Sequence, residues 1–435
     1  MSDVAPANKA RRIYLDNAAT SFPKPPAVYE AMQRYACRVG ASPGRGHYAE
    51  SREGARIIRE CRRRVAEFIG GTCPDNVVFT LNTSDSLNLA IKGVVRAARM
   101  RHKKAGGHFG DAAVRVVTTA IDHNSVLRPF FALAEEGAEV IHVPADADTG
   151  IVAMDELRGA ITRGTTLVAV NAVSNVTGAV QPVCEAAELC RSLGVPCLVD
   201  AAQALGHVPV SLHECDADLL AFPGHKGLLG PQGTGGLYVR PGFEDRLATT
   251  REGGTGSVSE LDAQPTTMPE RYEAGSHNTM GIAGLAEGVA WLQERGADAL
   301  RGHEEQLITL MLELLASAGC RTHERAETSG ALTSLRLLGP CCVEDRVSTF
   351  SFVHDFFSPA ELAALLEQHF GILARAGLHC APLAHRTLGT LSDSTRSRGA
   401  LRMSMGPFTT EDDVRTAAQA LCELCALDRT PQPVP

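Results

Sequence analysis

The chain has 435 residues, 44% hydrophobic and 21% charged, the balance of an ordinary globular protein with a large core and no bias toward disorder. A net charge of -8 gives no general attraction for nucleic acid, no run of about eighteen apolar residues is present to span a bilayer, and MSDVAPANKARR lacks a secretory h-region. Thirteen cysteines scattered along so long a chain suit a reducing compartment better than a disulfide framework, so the expected location is cytoplasmic.

In chain order, residues 52–64 (REGARIIRECRRR) predict a helix with a solvated arginine face. From 77 to 239 short β-branched runs alternate with helical or loop segments. They read VVFT (77–80), VRVVTT (114–119), EVIHV (139–143), TLVAVN (166–171), CLVD (197–200), DLLAF (218–222) and GGLYV (235–239). Amphipathic stretches such as SDSLNLAIKGVVRAAR and CEAAELCRSLG lie between them, which predicts an α/β fold: a mostly parallel seven-stranded sheet covered on both faces. The Gly-rich, basic stretch 99–114 (RMRHKKAGGHFGDAAV) reads as a surface excursion. After about 281 long helical patterns dominate, with strands at SFVH and RMSMGPF, which predicts a smaller α+β domain. Cys422 and Cys425 form a lone C-x-x-C without a second ligand pair, so no metal is expected there.

Ligands of open α/β sheets gather beyond the carboxyl ends of the strands, and the residues there are chemical ones. Asn82-Thr83-Ser84 open a helix, Asp122-His123-Asn124 follow the second run, Asn175 the fourth, Asp200 ends the fifth, and His225-Lys226 follow the sixth. Burial disfavours an ammonium, so Lys226 in such a crevice is expected to offer a free amine able to form a Schiff base. Pyridoxal phosphate needs such a lysine, a carboxylate for its ring nitrogen, an aromatic lid and a phosphate-binding helix start. Lys226, Asp200, His123, and Thr83 with Ser84 fill those roles, Lys226 also expected to move the Cα proton and His123 to exchange protons, and Gln203 is placed to reach the ring hydroxyl.

The segments YLDNAATSFPKP, DHNSVLRP, VSNVTGAVQPV, VDAAQALGHVPV, GHKGLLGPQGTGGLYV, YEAGSHNT, RAGLHCAPLAH and MGPFTTEDD together resemble the class V aminotransferase superfamily. The likeness is strongest to its cysteine desulfurase and selenocysteine lyase branch, over residues 13 to 425. It implies a homodimer of the aspartate aminotransferase fold type. It also implies an N-terminal segment (1–30) packing with the small domain, a large cofactor-binding domain (31–290) and a small C-terminal domain (291–435). By position it adds His225 to the cofactor residues, makes Ser276 reach the partner subunit's phosphate, sets Asn175 beside cofactor and substrate, and gives Arg402 the substrate carboxylate. Arg375 is a second candidate for the substrate pocket.

Cys380, in the loop-like GLHCAP context, supplies the soft nucleophile that sulfur removal needs, with His379 and Arg375 expected to favour its thiolate. Pro223 stands where many relatives have Ser, and offers the phosphate neither hydroxyl nor N–H. The implied activity is conversion of L-cysteine to L-alanine with a persulfide left for an acceptor protein or thiol. L-selenocysteine as substrate, an aminotransferase, epimerase or β-lyase without persulfide, and a cofactor-free scaffold are the alternatives.

Overall fold

The computed structural model describes residues 11–427 except 45, 210, 213, 259 and 392–398, so 1–10 and 428–435 of the expected terminal segments lie outside the described residues. The chain opens with β1 (Ile13–Tyr14), α1 (Pro26–Arg34) and α2 (Ala49–Phe68), then enters the alternating region. There β2 (Val77–Thr80), α3 (Thr83–Lys104), β3 (Arg115–Thr119), α4 (Asn124–Glu135), β4 (Glu139–Val143), α5 (Met154–Ala160) and β5 (Leu167–Asn171) follow in turn. Next come α6 (Val183–Leu193), β6 (Cys197–Asp200), β7 (Leu219–Pro223), β8 (Gly235–Val239) and α7 (Thr279–Arg295).

Strands β2 to β8 form one seven-stranded sheet in the order β2-β8-β7-β6-β5-β3-β4. All neighbours are parallel except those of β8, which runs antiparallel to β2 and β7. The near-continuous apolar runs follow from burial on both faces. Val168, Val170, Val199, Leu220 and Phe222 belong to the core shared with α2, α6 and α7. Their neighbours Leu167, Ala169, Leu198, Leu219 and Ala221 belong to the core shared with α3 and α4.

The C-terminal domain is built by α8 (Ala297–Ser317), β9 (Leu335–Leu338), β10 (Thr349–His354), α9 (Pro359–Phe370), β11 (Ile372–Leu373), β12 (Arg375–Gly377), α10 (Pro382–Thr387), β13 (Ala400–Ser404) and α11 (Glu411–Leu427). Its sheet runs β12-β13-β10-β9, all antiparallel, and β11 pairs separately and in parallel with β1. Helix α9 starts on a reciprocal cap, Ser358 with Glu361, and stops at Gly371 in the left-handed region. Cys425 is buried in this domain's core with Cys422 packed against it.

Two expectations need correction. Residues 99–104 are the last turns of α3, so the excursion is shorter than its composition suggests, and basic side chains there complement the helix's C-terminal end. The arginine-rich stretch lies on α2 with Arg56 and Arg63 exposed, yet Arg62 is buried. Its guanidinium forks onto both Glu273 carboxylate oxygens, at 2.7 and 2.9 Å, beneath the Phe79 ring. A buried arginine is tolerated because every charge finds a partner.

Candidate active site

At the carboxyl edge of the seven-stranded sheet, five strand ends converge on a crevice of about 560 Å3, part of it open to solvent. Thr83, Ser84, His123, Asn175, Asp200, Gln203, His225 and Lys226 all line it. Lys226 is reached from β7 by a turn that needs its glycines. A Cβ on Gly227 would stand 1.9 Å from the Leu205 carbonyl oxygen, so the lysine's backbone packs directly against another chain segment. Pro223 closes β7 opposite Gly235, past the last residue paired with β6, where a missing N–H breaks no ladder bond to that strand.

Burial lowers the Lys226 amine to about 8, against the pull of Asp200, with Arg402 and Arg375 lowering it further and Cys380 opposing them. Asp200 is itself buried, which raises its carboxyl to about 6 despite the Ala202 amide donating to it at 3.0 Å and the nearby Lys226 charge. His123 caps α4: its Nδ1 accepts from the Ser125 amide at 3.0 Å. Ser125 Oγ lies 2.6 Å from Ser84 Oγ, which ties the start of α4 to the start of α3. Burial first, then Lys226, drops His123 to about 4, so its ring is uncharged at neutral pH. His225 falls to about 4 for the same reasons, again with burial the larger.

The start of α3 is capped by Asn82, whose Oδ1 accepts from the Asp85 amide at 3.0 Å. That leaves Thr83 and Ser84 at the first positions of the helix, where backbone N–H groups have no partner within the helix and an anion is favoured. Asn171 also lines the crevice, with its buried Oδ1 unpartnered. It ends the TLVAVN run, and that strand-end position is the sequence signal that points to it.

The C-terminal domain closes the other side. Arg402, fully buried on β13, donates to the Asn175 carbonyl at 2.9 Å and to Asp16 Oδ1 at 3.0 Å, while its Nε has no partner. Arg375 is its cross-strand neighbour on β12. Asp16, absent from the sequence-derived candidates, was within reach of them in the YLDNAATSFPKP motif.

Cys380 is exposed, on a loop where it and His379 both adopt left-handed backbone, φ +57° and +48°. Such conformations cost about 1–3 kcal/mol each in non-glycine residues. Two hydrogen bonds from the large domain restrain the loop: Asn175 Nδ2 donates to the His379 carbonyl at 2.7 Å, and the Asn124 amide to the Cys380 carbonyl at 2.8 Å. His379 does not play its expected part. Its Nε2 donates to the Ala400 carbonyl at 3.0 Å, and burial, with Arg402 and His385, holds it down at about 2, so it lends no positive charge to the thiol.

Cys380, Arg375 and Arg402 do not line the crevice itself but lie near enough to act on the Lys226 charge, whereas Ser276 lies apart from it. Ser276 is exposed in a second depression between the end of β2 and the start of α7, with Arg251, Gly233 and His277. Away from both, Cys341 Sγ lies 3.7 Å from His323 Nδ1 and Cys342 donates to Asp345 at 2.8 Å.

The family model for Aminotransferase class-V matches residues 13–416. A probable cysteine desulfurase of Pyrococcus abyssi is 32% identical, covering 97% of this chain and 96% of its own. Another of Methanothermobacter thermautotrophicus is 31% identical, covering 95% of each. The apo structure of a cysteine desulfurase from Thermococcus onnurineus NA1 superposes with a TM-score of 0.81 at 32% identity, covering 95% of both chains.

Proposed function

The chain belongs to the Aminotransferase class-V family, and on that premise we propose that it is a pyridoxal-phosphate-dependent cysteine desulfurase, converting L-cysteine to L-alanine and an enzyme-bound persulfide. The observation that carries this reading is the meeting of a desolvated lysine and carboxylate, Lys226 and Asp200, with an exposed cysteine on a restrained loop whose charge Lys226 feels.

The crevice fits the cofactor. Unpartnered buried atoms, His225 Nδ1 and Asn171 Oδ1, await a polar ligand, and the first turn of α3 suits a phosphate. Lys226 would hold the aldehyde, Asp200 the ring nitrogen, His123 the ring face, Gln203 the ring hydroxyl, and Thr83, Ser84 and His225 the phosphate. When bound, pyridoxal phosphate supplies an electron sink for the substrate's Cα.

The chain's own groups do the rest. Arg402 and Arg375 draw the substrate carboxylate, and Asn175 orients it. The Lys226 amine, free in a minority of molecules at neutral pH and in about half of them near pH 8, takes the Cα proton. The Cys380 thiolate attacks the substrate sulfur; an S–S bond forms, the Cβ–S bond breaks, its electron pair stays on Cβ and takes a proton, and the proton held by Lys226 returns to Cα, giving alanine. The persulfide on Cys380 then passes its outer sulfur to an acceptor protein or thiol.

The protein acts as a homodimer in the cytoplasm in this proposal, with Ser276 facing the partner subunit's phosphate. Its exposure in a separate depression supports that reading. Among the described residues no helix is long and apolar enough to cross a membrane. The division into segments 1–30, 31–290 and 291–435 is part of the same proposal.

Incubation of purified protein with cysteine tests it. Alanine in step with a 32-Da gain on Cys380, roughly one sulfur atom by intact mass, supports the reading. Pyruvate and ammonia, or a keto acid, without persulfide overturns it in favour of a β-lyase or aminotransferase. Much faster turnover of selenocysteine than cysteine redirects it to a selenocysteine lyase.

A further inference from the structure

The carbonyl of His225, the first half of the peptide bond leading into Lys226, is the most heavily solicited acceptor around the crevice. The Ser21 amide donates to it at 3.0 Å, Thr20 Oγ1 at 3.1 Å, Ser21 Oγ at 3.2 Å and Lys24 Nζ at 3.3 Å. All four donors come from one stretch of five residues. A carbonyl oxygen has two lone pairs, so these donors share or relay. The shortest contacts of Lys24 show the relay: its Nζ donates to Ser21 Oγ at 2.8 Å and to the Ser21 carbonyl at 3.0 Å. The Ser21 hydroxyl, occupied as an acceptor, is left to turn its proton toward His225.

We propose that Lys24 is a positioning residue for Lys226: its ammonium orients Ser21 onto the His225 carbonyl and so fixes the backbone from which the Lys226 amine is presented.

The placement of Lys24 has no surface explanation. It is half-buried, and no carboxylate accepts from it among the described residues; every acceptor it has is a neutral oxygen. Burial lowers it to about 8, yet at neutral pH it stays mostly charged and able to donate. The same segment reaches two further site residues. Asp16 holds Arg402, and the Ala18 carbonyl accepts from Gln203 Nε2 at 2.9 Å. A single strap therefore sets the arginine, the glutamine and the lysine relative to one another, with Lys24 at the end that meets the reactive amine.

This deepens the function proposed above and rests on it for the role of Lys226. The test compares wild type with Lys24→Met, which keeps length without the donor, Lys24→Arg, which restores donors, and Thr20→Val, which removes one hydroxyl from the same carbonyl. Amide hydrogen exchange is followed on the full chain with and without added pyridoxal phosphate. Lys24→Met is expected to speed exchange at residues 224–229 up to about tenfold while 297–317 stays unchanged, the size expected for losing one or two hydrogen bonds from a local opening. Thr20→Val moves the same peptide less, and Lys24→Arg returns it to within about twofold of wild type. With cysteine, Lys24→Met lowers kcat about tenfold and leaves KM within about twofold, the mark of a misplaced group that acts after binding.

Unchanged exchange at 224–229, an equal rise across the chain, or a kcat loss that Lys24→Arg does not restore would each overturn the assignment. Exchange needs no turnover, so a wild type inactive on cysteine refutes the desulfurase reading while the exchange result still decides what Lys24 does.

Discussion

The Lys226 side and the Cys380 side of the crevice are built on opposite plans. Lys226 and Asp200 leave adjacent, fully buried parallel strands, and burial displaces both their proton equilibria. Cys380 is the exposed residue of a loop of the C-terminal domain whose neighbours His379 and Ala381 are buried, in a backbone conformation that is strained for a residue with a side chain, and the loop hangs from two carbonyl hydrogen bonds. A group that must alter its acidity needs a dry, rigid seat. A group that must carry an atom away needs access to another molecule, and the loop provides that without surrendering its orientation.

The comparison is broken most completely by Lys226→Ala. Turnover should fall by at least about a thousandfold, and the visible absorption of the cofactor-loaded protein should change, since the attachment amine is gone. A normal spectrum and rate would remove Lys226 from the site. Cys380→Ala cuts the other way: the cofactor spectrum still responds to added cysteine, while persulfide by intact mass and alanine by chromatography drop to background. Sustained cysteine turnover in that variant would end the claim to desulfuration.

Asp200→Ala is expected to lower kcat about a hundredfold with the fold intact by circular dichroism, the usual scale for losing one preorganised electrostatic partner. It also sharpens the acid–base side of the contrast. In cofactor-free protein, acylation of the Lys226 amine, read by peptide mass spectrometry, should rise as pH climbs through about 8, because burial favours the uncharged amine. A surface lysine should respond only near about 10.4. Asp200 stabilises the ammonium, so its removal moves the Lys226 midpoint below 8; an upward move contradicts the pairing. The smallest effect belongs to Asn175→Ala, which frees the His379 carbonyl for about 1 kcal/mol of loop restraint. Persulfide formation should slow several-fold more than Cα proton exchange, measured in deuterium oxide by NMR, if Asn175 steadies the Cys380 loop.

Local pattern carried much of this. Each of the seven strands falls within a residue of its apolar or β-branched run; burial on both faces explains this for the central strands, while the edge strand β4 keeps exposed Glu139 and His142. The crevice residues were legible for a related reason: a polar group just past such a run has one place to be, the sheet's carboxyl edge. What escaped depended on partners far away in sequence. Arg62 looks like its exposed neighbours until Glu273, 211 residues on, comes to meet it. His379 looks like a cationic neighbour for a thiol until burial beneath Arg402 and beside His385 strips its charge. The antiparallel course of β8 and the order of strands are likewise absent from any window of a few residues. Asp16 and Lys24 sat within a motif already in view, but their acceptors and donors lie on other segments.

The parallel pairing of β1 with β11, and the bond from Arg402 to Asp16 across 386 residues, set a timetable for the ribosome. At about 5–20 residues per second, the first strand must wait roughly twenty to seventy seconds for its partner to be made. Closing so long a loop adds little free energy per extra residue, but it keeps the contact out of the earliest folding events. A two-residue strand is too short to template unwanted pairing during that delay. The order of synthesis also separates the hazards of the chemistry: the strands of the sheet bearing Lys226 are all translated before the loop bearing Cys380, so a chain unfinished at that point lacks the thiol that would take sulfur.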